Sequence, residues 1–409
     1  MNVNIPKRRF KGFSEDWKQR KLKDITEKIS ERNTDNHYQN VFTNSALHGI
    51  INQTDYFDRN IANSTNLTNY YVVQKDNFIY NPRISSNAPY GPINRNKLNQ
   101  VGVMSPLYLV FENRLASHDF LEYYFFSSKW YRYMLKVGNT GARSDRYAIK
   151  NKDFFNMPIF IPEYNEQCKV GNILKVLNKT ITLHKRKFEK LKQLQKSYLN
   201  ESILSEPKCV PKRRFKGFVE PWEQYKVGKI SKSFSGGTPR SSESDFYHGN
   251  IPFIRSGEIN STTTEIFITE EGLSSSSAKI VEKGNLLYAM YGATSGEVAI
   301  SKITGAINQA VLAIILNENH NKMFLYYYLF NNKNRILHKY LQGGQGNLSA
   351  NIIKNINVKI SQNYRESIKI SEFISSIDNT ITLHKHKHNA IKILQKIYLQ
   401  NNLGDETYA

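Results

Sequence analysis

Little cysteine, no long apolar run and a shortage of acid set the first bounds on this 409-residue chain. Cys168 and Cys209 are too few and too isolated for a disulfide framework or a zinc site, so a reducing cytoplasm is expected. No stretch approaches the roughly 18 apolar residues of a membrane span, and the basic, polar start has no signal-peptide core. Phosphate-loop chemistry is absent too, because Gly343-Gly344-Gln345-Gly346 is not followed by Lys and Ser or Thr. Asp and Glu number 35 against 57 Lys and Arg, a net charge of +22. Such an excess repels itself unless a polyanion offsets it; nucleic acid is the first candidate partner and an anionic membrane surface the second. Against these absences stand 25 Tyr and 22 Phe, which exclude a disordered chain.

What is present is said twice. Pro6-Lys7-Arg8-Arg9-Phe10-Lys11-Gly12-Phe13 returns as Pro211-Lys212-Arg213-Arg214-Phe215-Lys216-Gly217-Phe218, with Trp17 and Trp222 after each. Thr180-Ile181-Thr182-Leu183-His184-Lys185 returns as Thr380-Ile381-Thr382-Leu383-His384-Lys385. The period is far too long for a solenoid and describes two half-length domains, each followed by the same connecting element. The second half has lost a net five residues between the blocks.

The connecting elements read as long helices. Ile173, Leu177, Ile181, His184, Phe188, Leu191, Leu194 and Tyr198 recur at steps of three or four, with no Pro from Glu163 to Glu206. The second copy reads Phe373, Ile377, Ile381, His384, His388, Ile391, Leu394 and Tyr398. About 40 helical residues span roughly 60 Å. Helices draw most of their stability from a buried face, so the two stripes are expected to bury each other as an antiparallel pair. Elsewhere, short β-type runs are broken by Gly, Pro, Asn and Ser: Tyr71-Val72-Val73, Phe78-Ile79-Tyr80 and Leu107–Phe111, then Leu286–Tyr288, Glu297–Ile300 and Val311–Ile315. Helical stretches follow at Asp119–Leu135 and His320–Leu341.

On these residues the chain resembles a specificity (S) subunit of a type I restriction–modification system. The repeated Phe-Lys-Gly-Phe…Trp openings and Ile-Thr-Leu-His-Lys helices carry the resemblance. So do Gly236-Gly237-Thr238-Pro239, Tyr291-Gly292-Ala293-Thr294-Ser295-Gly296 and Ile307-Asn308-Gln309-Ala310. The first half departs from the pattern: no Gly-Gly-Thr-Pro follows Ile25, and Asn81-Pro82-Arg83 stands in place of the Tyr-Gly-Ala-Thr motif. The resemblance implies an α+β chain with a pseudo-two-fold internal repeat. Two β-rich α/β target-recognition domains, residues 1–162 and 207–361, alternate with helices at 163–206 and 362–409 packed as an antiparallel coiled coil. It implies a non-catalytic reader of double-stranded DNA without a cofactor of its own. Each domain would take half of a bipartite, asymmetric site. The helices would set the spacing and dock two methyltransferase subunits, which bind S-adenosylmethionine and methylate adenine; motor–nuclease subunits join for cleavage. A self-contained methyltransferase or nuclease, or a stand-alone DNA-binding regulator, are the alternatives.

Candidate DNA-binding residues fall on the loops. Arg83, Ser85, Ser86 and Asn87 follow a strand in the first domain, and Arg143, Ser144 and Arg146 follow a Gly-rich turn. Arg and Asn can bond guanine and adenine edges bidentately. In the second domain the candidates are Gly236, Gly237, Thr238 and Arg240; Tyr291, Thr294 and Ser295; and Gln342, Gln345 and Asn347. The Gly236–Arg240 loop offers N–H groups, a hydroxyl and a guanidinium to a phosphate or base edge, or is an ordinary glycine turn. Lys7-Arg8-Arg9 and its twin either contact phosphates or form a solvated face. Asn81-Pro82-Arg83-Ile84 lacks the second Pro and the aromatic of an adenine-methyltransferase motif. Asp16-Trp17-Lys18 lacks a second carboxylate to share a metal. His384 and His388 are one helical turn apart, but Phe188 occupies the corresponding place in the first copy, so they read as part of a helix seam.

Overall fold

The computed structural model describes residues 9–56, 67–140, 145–203, 210–341 and 347–401. The chain divides into two compact units, Met1–Lys185 with His386–Ala409, and Arg186–Lys385. Each unit therefore holds one end of both long helices, Tyr164–Ser202 and Tyr364–Leu399.

In the first unit Lys18–Lys21 pairs antiparallel with Pro158–Ile161. A four-stranded antiparallel sheet has the order Thr26–Lys28, Leu109–Asn113, Phe78–Tyr80, Ile93–Arg95. Its central strands are apolar where they pair, Phe78–Tyr80 against 109–111, because both faces are covered there. Phe78, Tyr80, Leu109 and Phe111 enter one core with Phe125, Trp130 and Phe154. Ile79 and Val110, on the opposite face, enter another with Phe42, Val73 and Met104. Side chains alternate sides along a strand, so a three-residue run feeds two cores. Two further strand pairs, Phe42–Ser45 with Gly49–Asn52 and Tyr71–Val73 with Gly102–Met104, complete that second core. Helix His118–Phe126, begun by the hydroxyl of Ser117 accepting from the Phe120 N–H, buries Phe120, Leu121, Tyr124 and Phe125.

The second unit repeats the plan. Glu223–Lys226 pairs with Asn357–Ile360, and the four-stranded order is Ser231–Ser235, Val311–Leu316, Leu286–Ala289, Val298–Ile300. Leu286, Tyr288, Leu312 and Ile314 face one core while Leu287, Ala289, Val311 and Ala313 face another. A second sheet has the order Phe267–Ile268, Tyr247–Ile254, Gly305–Ile307, Lys279–Val281, and its two central strands run parallel. The helix Lys322–Tyr340, capped by Asn321, takes the place of His118–Phe126.

Within each unit the two long helices meet antiparallel. In the first, Gln395 Nε2 donates to Asn178 Oδ1 at 3.2 Å, and His388 Nδ1 lies 3.2 Å from the Ile181 carbonyl. In the second, Gln195 donates to Asp378, and the Tyr198 and Phe373 rings are 4.4 Å apart. The polar contact is duplicated and extended into each domain: Tyr123 hydrogen-bonds Asn178, and the Tyr327 hydroxyl donates to Asp378 Oδ2 at 2.7 Å.

Of the stripe residues, Tyr198, Ile377 and His384 are buried, and Ile173, Leu177, Ile181, His184, Phe188, Leu191, Ile381, His388, Ile391 and Tyr398 are half-buried. Phe373, 38% exposed, packs its ring against Tyr198 and Phe215, and Leu194 and Leu394, at 46% and 57%, face outward. A 3.6-residue turn drifts against steps of three and four, and the seam takes Gln195 and Gln395 where the leucines were expected. The deepest apolar residues of the helices serve their domains: Val170 and Leu174 pack on Trp17 and Phe120, and Ile370 and Ile374 join the second unit's core.

In the repeated basic opening Lys212 and Arg213 are exposed, Arg213 pairing with Glu201, but the third residue of each copy is not. Arg9 grips Glu166 bidentately at 2.9 and 2.6 Å, and Arg214 grips Glu366 at 2.7 and 2.8 Å, with all four side chains largely buried. Neither arginine is a solvated face or free for phosphate. Each ties its opening block to the first turn of a long helix. Lys7, Arg8 and Cys209 lie outside the described residues.

Candidate nucleic-acid interface

A cleft of about 590 Å³ opens in the first unit, and four of the expected residues, Arg83, Ser85, Asn87 and Arg146, line it. Local geometry explains the grouping. The strand Phe78–Tyr80 ends at Asn81-Pro82, where the chain leaves the sheet because proline has no N–H for the ladder. The Pro82 carbonyl accepts from the Tyr147 N–H at 2.8 Å, and the Ile84 N–H donates to the Asp145 carbonyl at 3.0 Å. The Arg83 and Arg146 backbones thereby run side by side as an antiparallel bridge. Paired hydrogen bonds between Ser85 and Ala88, both 3.0 Å, close the loop and leave Ser85, Ser86 and Asn87 exposed. Ser86 shares the loop without lining the cleft. Arg83 Nε lies 3.8 Å from Asp145 Oδ2, an exposed pair worth little and easily exchanged for another anion. Arg143 and Ser144 lie outside the described residues.

Sequence reasoning missed the other wall. Thr43, Asn44, Ser45 and Leu47 of the hairpin, with Leu107 and Tyr108, line the same cleft. Asn44 is the hub: its amide nitrogen donates to the Ile79 carbonyl at 2.8 Å and the Pro92 carbonyl at 3.2 Å, and its Oδ1 accepts from Asn94 at 2.7 Å. The Asn44 carbonyl accepts from Asn81 Nδ2 at 2.9 Å. Buried polar groups need partners, and here the partners fix hairpin to loop. The one available signal was a buried-length strand, Phe42-Thr43-Asn44-Ser45, carrying polar residues where apolar ones were due.

In the second unit the candidates separate by role. Gly236 and Gly237 are buried: a Cβ at Gly236 would sit 1.7 Å from the Ile307 carbonyl oxygen, and one at Gly237 2.7 Å from Ser277 Cβ. The Gly236 N–H donates to the Asn308 carbonyl at 3.2 Å. Gly236 thus lets the loop pack against Ile307-Asn308 with its N–H taken, and Gly237 lets it pack against Ser277. Thr238 and Arg240 are exposed, and Thr238 Oγ1 donates to Gln309 Oε1 at 2.6 Å. The turn at Tyr291 joins a second candidate group, because the Gly292 N–H donates to Asn347 Oδ1 at 3.1 Å. Gly292 and Gly296 hold φ of +71° and +81°, which glycine alone adopts freely. Thr294 braces the turn from a half-buried position, donating to the Tyr291 carbonyl at 3.3 Å. Ser295 is buried and donates to the Met290 carbonyl at 2.9 Å, so it shapes the turn and is closed to DNA. Gln342 and Gln345 lie outside the described residues.

Among the described residues, no group of three or more His, Cys, Asp or Glu could hold a metal ion, and no helix is long and apolar enough to cross a membrane.

Two units built to one plan, each carrying its own set of polar loops, define a protein with two related binding domains in one chain. Residues 14–193 and 219–393 match the family described as the type I restriction modification DNA specificity domain, and the chain belongs to that family. The type I restriction enzyme EcoR124I/EcoR124II specificity subunit of Escherichia coli is 25% identical over 266 residues, covering 62% of this chain and 63% of the relative. The type I restriction enzyme MjaIX specificity subunit of Methanocaldococcus jannaschii is 28% identical over 190 residues, covering 44% of this chain and 42% of the relative. Both matches thus span less than two thirds of the relative's length. The crystal structure of a type I restriction–modification S subunit from M. genitalium shares the fold, with a TM-score of 0.62 and 15% identity over 98% of this chain and 100% of that one.

Proposed function

We propose that this chain is the DNA-specificity subunit of a type I restriction–modification complex, a cytoplasmic protein that reads double-stranded DNA and performs no chemistry itself. The observation that carries this reading is the contrast between a duplicated frame and diverged loops. Strand order, helix tether and polar seam recur in both units, while Asn81-Pro82-Arg83 in one stands where Ala289-Met290-Tyr291 stands in the other. One frame with two loop sets suits two different short sequences read by one chain, as a bipartite, asymmetric site requires. The charge of +22 supplies affinity for the phosphate backbone.

Exposed apolar residues recur as well: Leu183 and Leu383 on the long helices, Phe126 and Phe330 on the domain helices. A surface presented twice fits two copies of one partner. In this reading the partners are two methyltransferase subunits, which supply S-adenosylmethionine, with motor–nuclease subunits added for cleavage, and the long helices set the distance between half-sites. The test is to incubate the purified chain with labelled S-adenosylmethionine and DNA, alone and with the methyltransferase subunit. Transfer is expected only in the mixture; transfer by the chain alone would refute the proposal and favour a self-contained methyltransferase.

A further inference from the structure

We propose that Leu47 reads the 5-methyl group of thymine in the half-site taken by the first domain. The inference rests on that domain reading DNA through the cleft of Arg83 and Asn87. Isolated exposed leucines are ordinary, but Leu47 and Leu107 are 70% and 59% exposed and line one cleft that is otherwise rich in amides, hydroxyls and guanidinium groups. Leu47 is also held in place. It occupies the turn between Phe42–Ser45 and Gly49–Asn52, and the N–H groups of Leu47 and His48 both donate to Ser45 Oγ at 3.3 Å. Gly49 closes the turn with φ of +70°. The hairpin beneath is bolted to the sheet through Asn44 and the Ile79 and Pro92 carbonyls. An apolar side chain fixed at the tip of a braced hairpin, pointing out of the protein's own core, is prepared for a partner with an apolar group of its own.

Double-stranded DNA offers one such group in the major groove, the thymine methyl. A leucine has no donor or acceptor and can discriminate among bases only by apolar contact. Arg83, Arg146 and Asn87 beside it supply what leucine lacks, hydrogen bonds to phosphates and base edges. The cleft therefore combines the two kinds of contact that reading a base edge demands, and its positive charge matches a polyanion.

The experiment uses the assembled complex and duplexes carrying its recognised site, with each thymine of the first half-site replaced in turn by deoxyuridine, which removes only the methyl. At one position or more, wild type should bind about fourfold more weakly, the value of one buried methyl-sized group. The Leu47→Ala complex should show no such loss there, Leu47→Met should retain part of it, and thymines of the second half-site should respond equally in all three. If deoxyuridine has no Leu47-dependent effect while base-pair changes in the first half-site still abolish binding, this inference falls and domain reading stands. A uniform loss in Leu47→Ala without methyl dependence, as a wedge between base steps would give, also overturns it. If base-pair changes in the first half-site have no effect, the underlying reading of the domain fails.

Discussion

Two ion pairs and one carboxylate carry the residue-scale predictions. Arg9–Glu166 and Arg214–Glu366 are nearly sealed from water, so removing one partner strands a buried charge. Arg9→Ala and Arg214→Ala should each cost about 3–5 kcal/mol, read as a fall in the denaturant midpoint. Burial pushes the Glu366 carboxyl upward, but hydrogen bonds from Arg214, Ser361 and Trp222 outweigh it and hold the group below its ordinary 4.5. Stability from this pair is therefore present at neutral pH and lost as pH falls from the unfolded value through the lower folded one. Asp378 has the opposite sign: burial raises it above its ordinary 3.8, against the hydrogen bonds from Tyr327 and Gln195. A raised acid favours the folded state most when protonated, and that contribution fades as pH rises through the folded value. Asn178 fills the same place in the first unit, which shows that the seam accepts an amide. Asp378→Asn should thus raise the melting temperature at neutral pH, with the gain shrinking as pH falls through the raised folded value and gone below the ordinary 3.8; a gain independent of pH would contradict this. The sequence displayed both arginines in its repeated block, but not their partners, which lie 157 and 152 residues away.

Elements were legible where periodicity was strong. The long helices show themselves in apolar spacing and the absence of proline, and the central strands in short runs of Val, Ile, Leu, Phe and Tyr. The hairpin Phe42–Asn52 did not show itself, because Thr, Asn and Ser at its inward positions serve a polar network that only the folded chain brings together. Leu194 and Leu394 were misplaced because spacing gives a stripe but not its rotation relative to a partner. Burial separates two kinds of helix residue. Leu174→Ala and Ile374→Ala remove fully buried side chains and should each cost about 2–5 kcal/mol. Leu183→Ala and Leu383→Ala lie on exposed faces and should change stability by less than about 0.5 kcal/mol. If a methyltransferase subunit docks as proposed, their effect should appear in co-purification with it, which the double variant is expected to weaken.

At the scale of the whole molecule, duplication is the organising fact. Each unit has its own cores, its own sheet and its own buried tether to a long helix, so the contents of one can change without disturbing the other. That independence was visible in the repeated blocks, whereas the bases read were not, because loops acquire meaning only against DNA. Binding by so basic a chain should weaken steeply with salt, and log affinity should fall linearly with log salt concentration. The most direct test of the account is to replace residues 26–160 with the corresponding domain of another family member and map methylated adenines across the genome. The account predicts that one half of the bipartite motif changes while the other half stays as it was. A motif altered in both halves, or in neither, would contradict it.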